Sequence, residues 1–231
     1  MDTFEFNKLN LKKINSAVDV GCGNGRHLKS LSHKIKNAQI VGIDHSHTEI
    51  VNLISEFDDI GCKNNNTYEF INHDIRNLPL KDNSQDLVIC SEVLEHVPNY
   101  EAVLAECYRV LKPTGVLLIS VPTYTPEKLC WLFSKKYRQT PGGHIRIFKK
   151  DQIIESFKKH KLKVFNHHRQ HSFHSIYWIL RSKNNMEESD FLKSFHGLLV
   201  KQMFGQAQIS AFIEKMLNPL FGKSECFYLT K

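Results

Sequence analysis

The sequence of 231 residues contains six cysteines but no Cys-x-x-Cys pair. A disulfide framework and a zinc site built from cysteines are therefore not expected. Several cysteines lie inside apolar stretches, which is typical of small buried residues. The six are Cys22, Cys62, Cys90, Cys107, Cys130 and Cys226. Internal repeats and low-complexity tracts are also absent.

Long apolar runs are missing as well. The longest, such as residues 115–121, are too short to span a bilayer. The first five residues are acidic and lack the basic region and apolar core of a secretory signal. The composition, 41% hydrophobic and 24% charged, is ordinary for a folded globular protein. We therefore expect a cytoplasmic protein with no transmembrane segment.

Acidic residues are scarce in one part of the chain, although the formal net charge is only +7. Residues 1–125 contain 12 basic and 16 acidic residues, whereas residues 126–183 contain 14 and 3. This excess could attract an anionic acceptor, RNA through residues 128–183, or a phospholipid surface. A solvated basic face with no partner is an equally good interpretation.

Short β-branched runs alternate with segments of helical period from Ser16 to Pro122, a pattern typical of successive βαβ units. Strands are expected at residues 17–20, 38–43, 67–71, 87–90 and 116–121. Ser46 and Glu49 form a capping box at the start of one helix, and Asn99 is expected to cap another. A turn at residues 112–115 should end that second helix.

The regular alternation of strand and helix patterns ends at Pro122. We predict helix at residues 126–138 and a loop at 141–143. Asp151 should cap a helix that runs to His160. Further strands are expected from residue 163 and at 224–230, with mostly helical structure at 175–220.

The pattern predicts an α/β fold, a Rossmann-like doubly wound seven-stranded sheet with a helical insertion near the C-terminus. We expect one domain over residues 1–231. Residues 16–122 should form its cofactor-binding core. Residues 123–231 should form a substrate-side lid and the last strands.

The clearest motif is the glycine-rich turn at residues 18–25, Val-Asp-Val-Gly-Cys-Gly-Asn-Gly. A strand that leads into close glycines and then a helix places backbone N–H groups against a ligand. Side chains at Gly21 and Gly23 would block that approach. Arg26 follows the third glycine, so the dinucleotide pattern Gly-x-Gly-x-x-Gly fails. This favours a ligand with an amino acid head group over a pyrophosphate.

Two carboxylates follow the next strands. Asp44 ends the second strand about 20 residues past the turn, the interval at which an acid reaches a ribose in this architecture. Asp74 follows the third strand and could accept from an adenine amine, with Ile75 against the base. Each aspartate alone could equally belong to an ordinary turn. Their order behind the glycine turn favours ligand binding.

These motifs resemble those of the class I S-adenosylmethionine-dependent methyltransferases, specifically the group with the ubiquinone and menaquinone biosynthesis-type methyltransferase domain. The resemblance covers residues 16–122. It rests on the segments at residues 18–25, 42–44, 73–80, 86–97 and 109–115. It continues into an uncharacterised bacterial-type subgroup through residues 143–148, 168–178 and 218–224, and that subgroup assigns no substrate.

The resemblance implies S-adenosylmethionine as the methyl donor and the residues that bind it. Asp19 should orient the turn and the amino group, the glycines should contact the methionine end, and Glu92 should approach the methionine or the acceptor. The expected cofactor-binding residues are Asp19, Gly21, Gly23, Gly25, Asp44, His45, Asp74, Ile75 and Glu92.

Histidines are abundant in the basic half, and one near the acceptor could take a proton from an attacking atom. His144 is the first candidate and His171 the second; a loop histidine bonded to backbone is the competing interpretation. His167, His171 and His174 have spacings that could share a helical face, as a metal site requires. The segment also has strand character and no carboxylate or cysteine joins the set, so we expect no metal.

We expect methyl transfer to a small-molecule or lipid-linked acceptor, with peripheral membrane contact as a further option. One alternative is a tRNA or other RNA methyltransferase. Another is a non-catalytic subunit that binds S-adenosylmethionine for a partner enzyme. A nucleotide-dependent dehydrogenase is disfavoured by the glycine spacing.

Overall fold

A computed structural model describes residues 2–57, 64–183, 189–203 and 206–231. The strands in these ranges are β1 (Ser16–Val20), β2 (Gln39–Asp44), β3 (Thr67–Asn72), β4 (Gln85–Ser91), β5 (Leu111–Pro122), β6 (Lys163–Gln170) and β7 (Ser224–Thr230). The helices are α1 (Arg26–Ser32), α2 (His47–Phe57), α3 (Tyr100–Val110), α4 (Tyr124–Phe133), α5 (Lys135–Arg138), α6 (Lys150–Lys159), α7 (Ser172–Ser182), α8 (Asp190–Met203) and α9 (Gln208–Phe221).

The seven strands form one sheet in the order β3-β2-β1-β4-β5-β7-β6. The first five strands in the chain pair in parallel, and β7 runs antiparallel to both β5 and β6. This confirms the predicted Rossmann-like α/β fold. The strand order reverses between β1 and β4, so the loops that follow these two strands diverge and leave a crevice at the carboxyl edge.

Both faces of the sheet are covered, as expected for strands that are nearly continuous apolar runs. In β1, Val18 and Val20 point into one core with Phe157 of α6. Ala17 points into the opposite core, which contains Phe4 and Leu28. The five cysteines in the described residues are free and buried, whereas Cys62 lies outside those residues.

Several element boundaries differ from the predictions. The helix expected at 126–138 is divided at Ser134, whose extended backbone ends α4 and whose hydroxyl accepts a hydrogen bond from the Tyr137 N–H. Asp151 lies in the first turn of α6, and Lys149 occupies the cap. Asn99 is at the cap of α3 but makes no side-chain cap bond. The predicted turn at 112–115 lies inside β5, because Leu111 already pairs with Gln85.

The C-terminal helices form a cluster around α7, which packs against α4, α8 and α9. The first N–H groups of α7 find acceptors on α9. The Ser172 N–H donates to Asn218 Oδ1 at 2.9 Å, and the Phe173 N–H donates to Glu214 Oε1 at 3.2 Å. α9 therefore caps α7, which starts at the carboxyl edge of the sheet. Among the described residues, no helix combines the length and apolar character that crossing a bilayer requires.

We expect Phe157→Ala to lower the free energy of unfolding by about 3–5 kcal/mol, because it leaves a cavity between α6 and β7. Phe157 is fully buried, and its ring centroid lies 5.2 Å from that of Phe227. Urea denaturation followed by circular dichroism measures the change. Phe191→Ala is the matched control, since Phe191 is 62% exposed and should cost less than about 1 kcal/mol. Equal losses for both variants would contradict this packing.

Candidate functional site

A cavity of about 1220 Å³ opens at the carboxyl edge of the sheet, next to the strand-order reversal. Its volume suits a nucleoside-sized ligand together with a second molecule. The predicted site residues that line it are Gly21, Asp44, His45, Asp74, Ile75, Glu92 and His144. Residues from five separate segments of the sequence therefore meet here.

The glycine turn adopts backbone conformations that require glycine. Gly21 has a φ of 75°, and a Cβ atom there would lie 2.6 Å from Val93 Cγ2. Gly23 has a φ of 48°, and a Cβ atom there would have no neighbour within 4 Å. The space beside Gly23 is thus open, and a ligand could approach the backbone closely.

Asp44 ties this turn to the end of β2. Its Oδ2 atom accepts a hydrogen bond from the Gly23 N–H at 2.8 Å, and Oδ1 accepts one from the Ser46 N–H at 2.9 Å. The carboxylate is therefore held in one orientation at the cavity wall. The neighbouring His45 side chain is 90% exposed, with Nδ1 3.2 Å from Asp44 Oδ1.

Asp19 lies buried at the end of β1, beneath the glycine turn. Its Oδ2 atom has no hydrogen-bond partner in the described structure. Burial raises the pKa of this carboxyl to about 7; the positive charge of Arg26 opposes the rise and the negative charge of Asp44 adds to it. A buried, unpaired carboxyl of this kind would be stabilised by a cationic donor, such as the ammonium group of an amino acid.

Asp74 and Ile75 follow β3. Ile75 is buried at 9% exposure, whereas the Asp74 side chain is about half exposed. The Arg76 guanidinium binds both Asp74 oxygens, with Nη2 2.6 Å from Oδ2 and Nε 3.0 Å from Oδ1. These hydrogen bonds lower the pKa of Asp74 to about 2. A ligand amine would therefore share an ionised carboxylate with Arg76.

Glu92 follows β4 and has a left-handed backbone, with a φ of 55°. Its N–H donates to the Ser120 carbonyl at 3.0 Å, and its Oε1 accepts from the Ser120 hydroxyl at 3.1 Å. Contacts to β5 thus hold Glu92 at the cavity mouth.

His144 forms a close pair with a carboxylate that was not among the predicted site residues. Its Nδ1 atom lies 2.6 Å from Oε1 of Glu127, which is only 3% exposed. Glu127 also accepts hydrogen bonds from Trp131 Nε1 at 3.1 Å and the Tyr137 hydroxyl at 3.2 Å. Burial raises the pKa of Glu127, but the hydrogen bond and charge of His144 outweigh it and lower the pKa. Glu127 therefore stays ionised. In the sequence, Glu127 is distinguished only as one of three acids in the basic segment, residues 126–183.

The other imidazole nitrogen of His144 faces a second carboxyl group. His144 Nε2 lies 3.9 Å from Oε1 of Glu95, which is fully buried and whose oxygens have no hydrogen-bond partner in the described structure. Burial, followed by the charge of Glu92, raises the pKa of Glu95 well above its ordinary value. Since Nδ1 donates to the Glu127 carboxylate, Nε2 is the nitrogen that can accept a proton.

His171 is not brought to this cavity. It lines a second cavity of about 790 Å³ beside β6 and α9, and its Nε2 lies 3.4 Å from the Thr3 hydroxyl. The helical face that His167, His171 and His174 could have shared does not form, because His167 lies in β6 and bonds to Glu225 at 2.7 Å. A role for His171 in catalysis stays a prediction.

Glu214 of α9 was also missed by sequence reasoning. Potential ligand atoms of His171, His174 and Glu214 lie within 4.8 Å of one another. The carboxylate already accepts hydrogen bonds from the Phe173 N–H and from Gln202, so it serves the helix junction in this structure.

A family model described as a methyltransferase domain matches residues 18–119. A demethylmenaquinone methyltransferase from Staphylococcus saprophyticus is 31% identical over 149 residues, which cover 63% of this chain and 62% of that protein. A protein named "probable S-adenosylmethionine-dependent methyltransferase" from Mycolicibacterium smegmatis is 28% identical over 114 residues, which cover 48% of this chain and 40% of that protein. The chain thus spans less than two thirds of the length of either relative.

Among solved structures, the fold is similar to a mycolic acid cyclopropane synthase determined with SAH and CTAB. The TM-score is 0.66 at 16% identity, and the match covers 98% of this chain and 81% of that one. At this identity the similarity shows a shared fold alone.

Asp19→Asn should change how stability depends on pH. The pKa of Asp19 is about 7 in the folded protein against an ordinary 3.8, so the folded state binds the proton more tightly. The free energy of unfolding therefore falls as pH rises from about 4 to about 7. The variant avoids this loss and should be up to about 4 kcal/mol more stable than the wild type above pH ~8, and closer to it near pH ~5.

Urea denaturation at both pH values measures this difference. Asp151→Asn, at an exposed position of α6, is the matched control for replacing one aspartate by asparagine. If the free energy of unfolding depends on pH in the same way for Asp19→Asn and the wild type, the raised pKa of Asp19 is wrong.

Proposed function

This chain belongs to the class I S-adenosylmethionine-dependent methyltransferases, and we propose on that premise that it transfers a methyl group from S-adenosylmethionine to a small-molecule or lipid-linked acceptor. The observation that carries the proposal is the unpaired, buried Asp19 carboxyl beneath an open glycine turn. The protein would act in the cytoplasm. Residues 16–122 would hold the methyl donor, and residues 123–231 would cover the acceptor.

The residues at the carboxyl edge suit the parts of S-adenosylmethionine in order. Asp19 would face the ammonium group, and the methionine end would pack against the open backbone at Gly23. The Asp44 oxygens keep free lone pairs beyond the bonds to Gly23 and Ser46, so the carboxylate could accept from the ribose hydroxyls. Asp74 and Ile75 would bind the adenine, with His45 at the entrance and Glu92 toward the methionine.

When bound, S-adenosylmethionine supplies a methyl carbon already activated by a sulfonium leaving group. The protein mainly has to align the acceptor and remove its proton. We assign proton removal to His144, whose Nε2 atom would take the proton from an oxygen or nitrogen nucleophile. Glu127 orients the ring through Nδ1 and stabilises the imidazolium that forms, in the way a buried carboxylate supports a catalytic histidine.

A lipid-linked acceptor is supported by the Staphylococcus relative, which is named for demethylmenaquinone. RNA bound through residues 128–183 and a partner-enzyme subunit are the alternatives that the following experiment separates.

Asp44→Ala should abolish labelling when the protein is incubated with methyl-labelled S-adenosylmethionine and a cell extract. Loss of a charged acceptor should weaken S-adenosylmethionine binding by about 10- to 100-fold, measured by calorimetry. Asp151→Ala is the control, since that aspartate lies on exposed α6. Unchanged labelling by Asp44→Ala would overturn the site.

The wild-type reaction identifies the acceptor class. Label in an organic extract supports a small or lipid-linked acceptor, and label in RNA indicates the RNA alternative. Tight binding of S-adenosylmethionine without labelling of any fraction would favour the non-catalytic subunit.

Glu127→Gln should lower the rate of label transfer by about 10- to 100-fold while the affinity for S-adenosylmethionine stays unchanged. The amide preserves the shape but no longer stabilises a protonated His144. Glu127→Asp retains the charge and should recover part of the rate. Glu155→Gln, at an exposed position of α6, controls for the same change of carboxylate to amide. An unchanged rate in Glu127→Gln would remove the pair from the mechanism.

A further inference from the structure

Helix α9 turns apolar side chains to solvent, whereas most surface helices turn them toward the core. Five of them lie on one stripe at helical spacing, and we call this the outward stripe. They are Ile209 (80% exposed), Phe212 (66%), Ile213 (45%), Met216 (67%) and Leu220 (69%). Isolated exposed apolar residues are common, but a contiguous stripe along three turns marks an interaction surface.

The polar side of α9 explains this orientation. Glu214 and Asn218 are buried and accept hydrogen bonds from the first N–H groups of α7. Asn218 also donates to the Gln170 side-chain carbonyl at 2.5 Å. If α9 were rotated by half a turn about its axis, these N–H groups would lose their acceptors. The polar contacts of Glu214 and Asn218 therefore keep the outward stripe on the solvent side.

Four helices of this C-terminal cluster carry exposed charges of a single sign, whereas α8 also carries the exposed Asp190, which pairs with Lys193. Across α4, α5, α7 and α9, all of whose residues the structure describes, both carboxylates, Glu127 and Glu214, are buried. Every exposed charged side chain of these helices is therefore a cation. The six are Lys128, Lys135, Lys136, Arg138, Arg181 and Lys215.

A second apolar group lies at the end of α4. Leu132 is 76% exposed and Phe133 is 37% exposed. The ammonium group of Lys183 lies 5.3 Å from the centre of the Phe133 ring. Bulky apolar side chains with adjacent lysines are the composition of surfaces that bind the headgroup region of a bilayer.

We propose that α9 and its neighbouring helices dock this protein on an anionic lipid bilayer, with the outward stripe in the interface and the exposed cations of α4, α5, α7 and α9 on lipid phosphates. The docking goes beyond the proposed methyl transfer and does not require it. It would bring the carboxyl-edge cavity close to lipid-linked molecules.

The charge pattern favours a bilayer over a second copy of this chain. A two-fold contact would place this surface against itself, so cations would meet cations. The exposed Asp190 of α8 already pairs with Lys193 and would compensate them little. Anionic headgroups complement the same charges, each lysine or arginine near the surface adding to the attraction.

Sedimentation with vesicles tests the proposal. The full chain should bind vesicles of phosphatidylcholine mixed with phosphatidylglycerol at least about tenfold more tightly than vesicles of phosphatidylcholine alone. High salt should weaken this binding. The triple variant Phe212→Ser, Met216→Ser, Leu220→Ser should reduce partitioning at least about tenfold, since the inserted apolar area is lost.

Matched variants separate the apolar and the electrostatic contributions to vesicle binding. Val51→Ser with Ile54→Ser removes apolar side chains of similar exposure from α2 and should leave binding unchanged. Lys135→Glu with Lys136→Glu should lower binding to the anionic vesicles, whereas Lys12→Glu with Lys13→Glu, another exposed pair, should lower it much less. Circular dichroism and S-adenosylmethionine calorimetry on every variant show whether the fold and the proposed cofactor site are intact.

Vesicle binding by the triple variant equal to that of the wild type would overturn the proposal. Absence of wild-type binding to anionic vesicles would do so too. A wild-type dimer in solution that the triple variant dissolves, without vesicle binding, would identify a second copy as the occupant instead. None of these outcomes bears on the calorimetric measurement of S-adenosylmethionine binding. Failure of the docking proposal and failure of the proposed function are therefore told apart.

Discussion

The hydrogen bonds between the glycine turn and the end of β2 position the rest of the site. The Ile43 carbonyl accepts from the Gly21 and Cys22 N–H groups, and the Asp44 carboxylate accepts from Gly23. Because β1 and β2 are parallel neighbours beside the strand-order reversal, their carboxyl ends open toward the same crevice. These bonds fix the turn, and no group in the described residues hydrogen-bonds Oδ2 of Asp19 beneath it.

Two buried carboxyl groups show that the cavity is organised for a ligand more than for stability. Asp19 and Glu95 both have side-chain oxygens that no described group hydrogen-bonds, and burial raises the pKa of each. Apolar residues would satisfy the fold better at both positions. Asp19 precedes the cavity-lining Gly21 by two residues, and Oε1 of Glu95 lies 3.9 Å from Nε2 of the cavity-lining His144.

The fold, and the cavity-lining residues that follow its strands, could be predicted because their signals are local. Each strand carries its own apolar run, and Asp44 and Asp74 follow strands whose carboxyl ends must share one edge. The His144–Glu127 pair could not be predicted, since the partners are 17 residues apart and meet only after the chain turns back past α5. His167, His171 and His174 share no helical face, as the strand character of the segment allowed, because His171 adopts a left-handed φ of 67° between β6 and α7.

By itself, the sequence determined the parallel sheet, the glycine turn and the order of carboxylates behind it, because these depend on residues close together in the chain. It also predicted mostly helical structure at residues 175–220, which include α9 with its one polar and one apolar face. Only the tertiary structure decided which face is buried. The N–H groups at the start of α7 need acceptors, Glu214 and Asn218 supply them, and the apolar face is therefore turned to the outside.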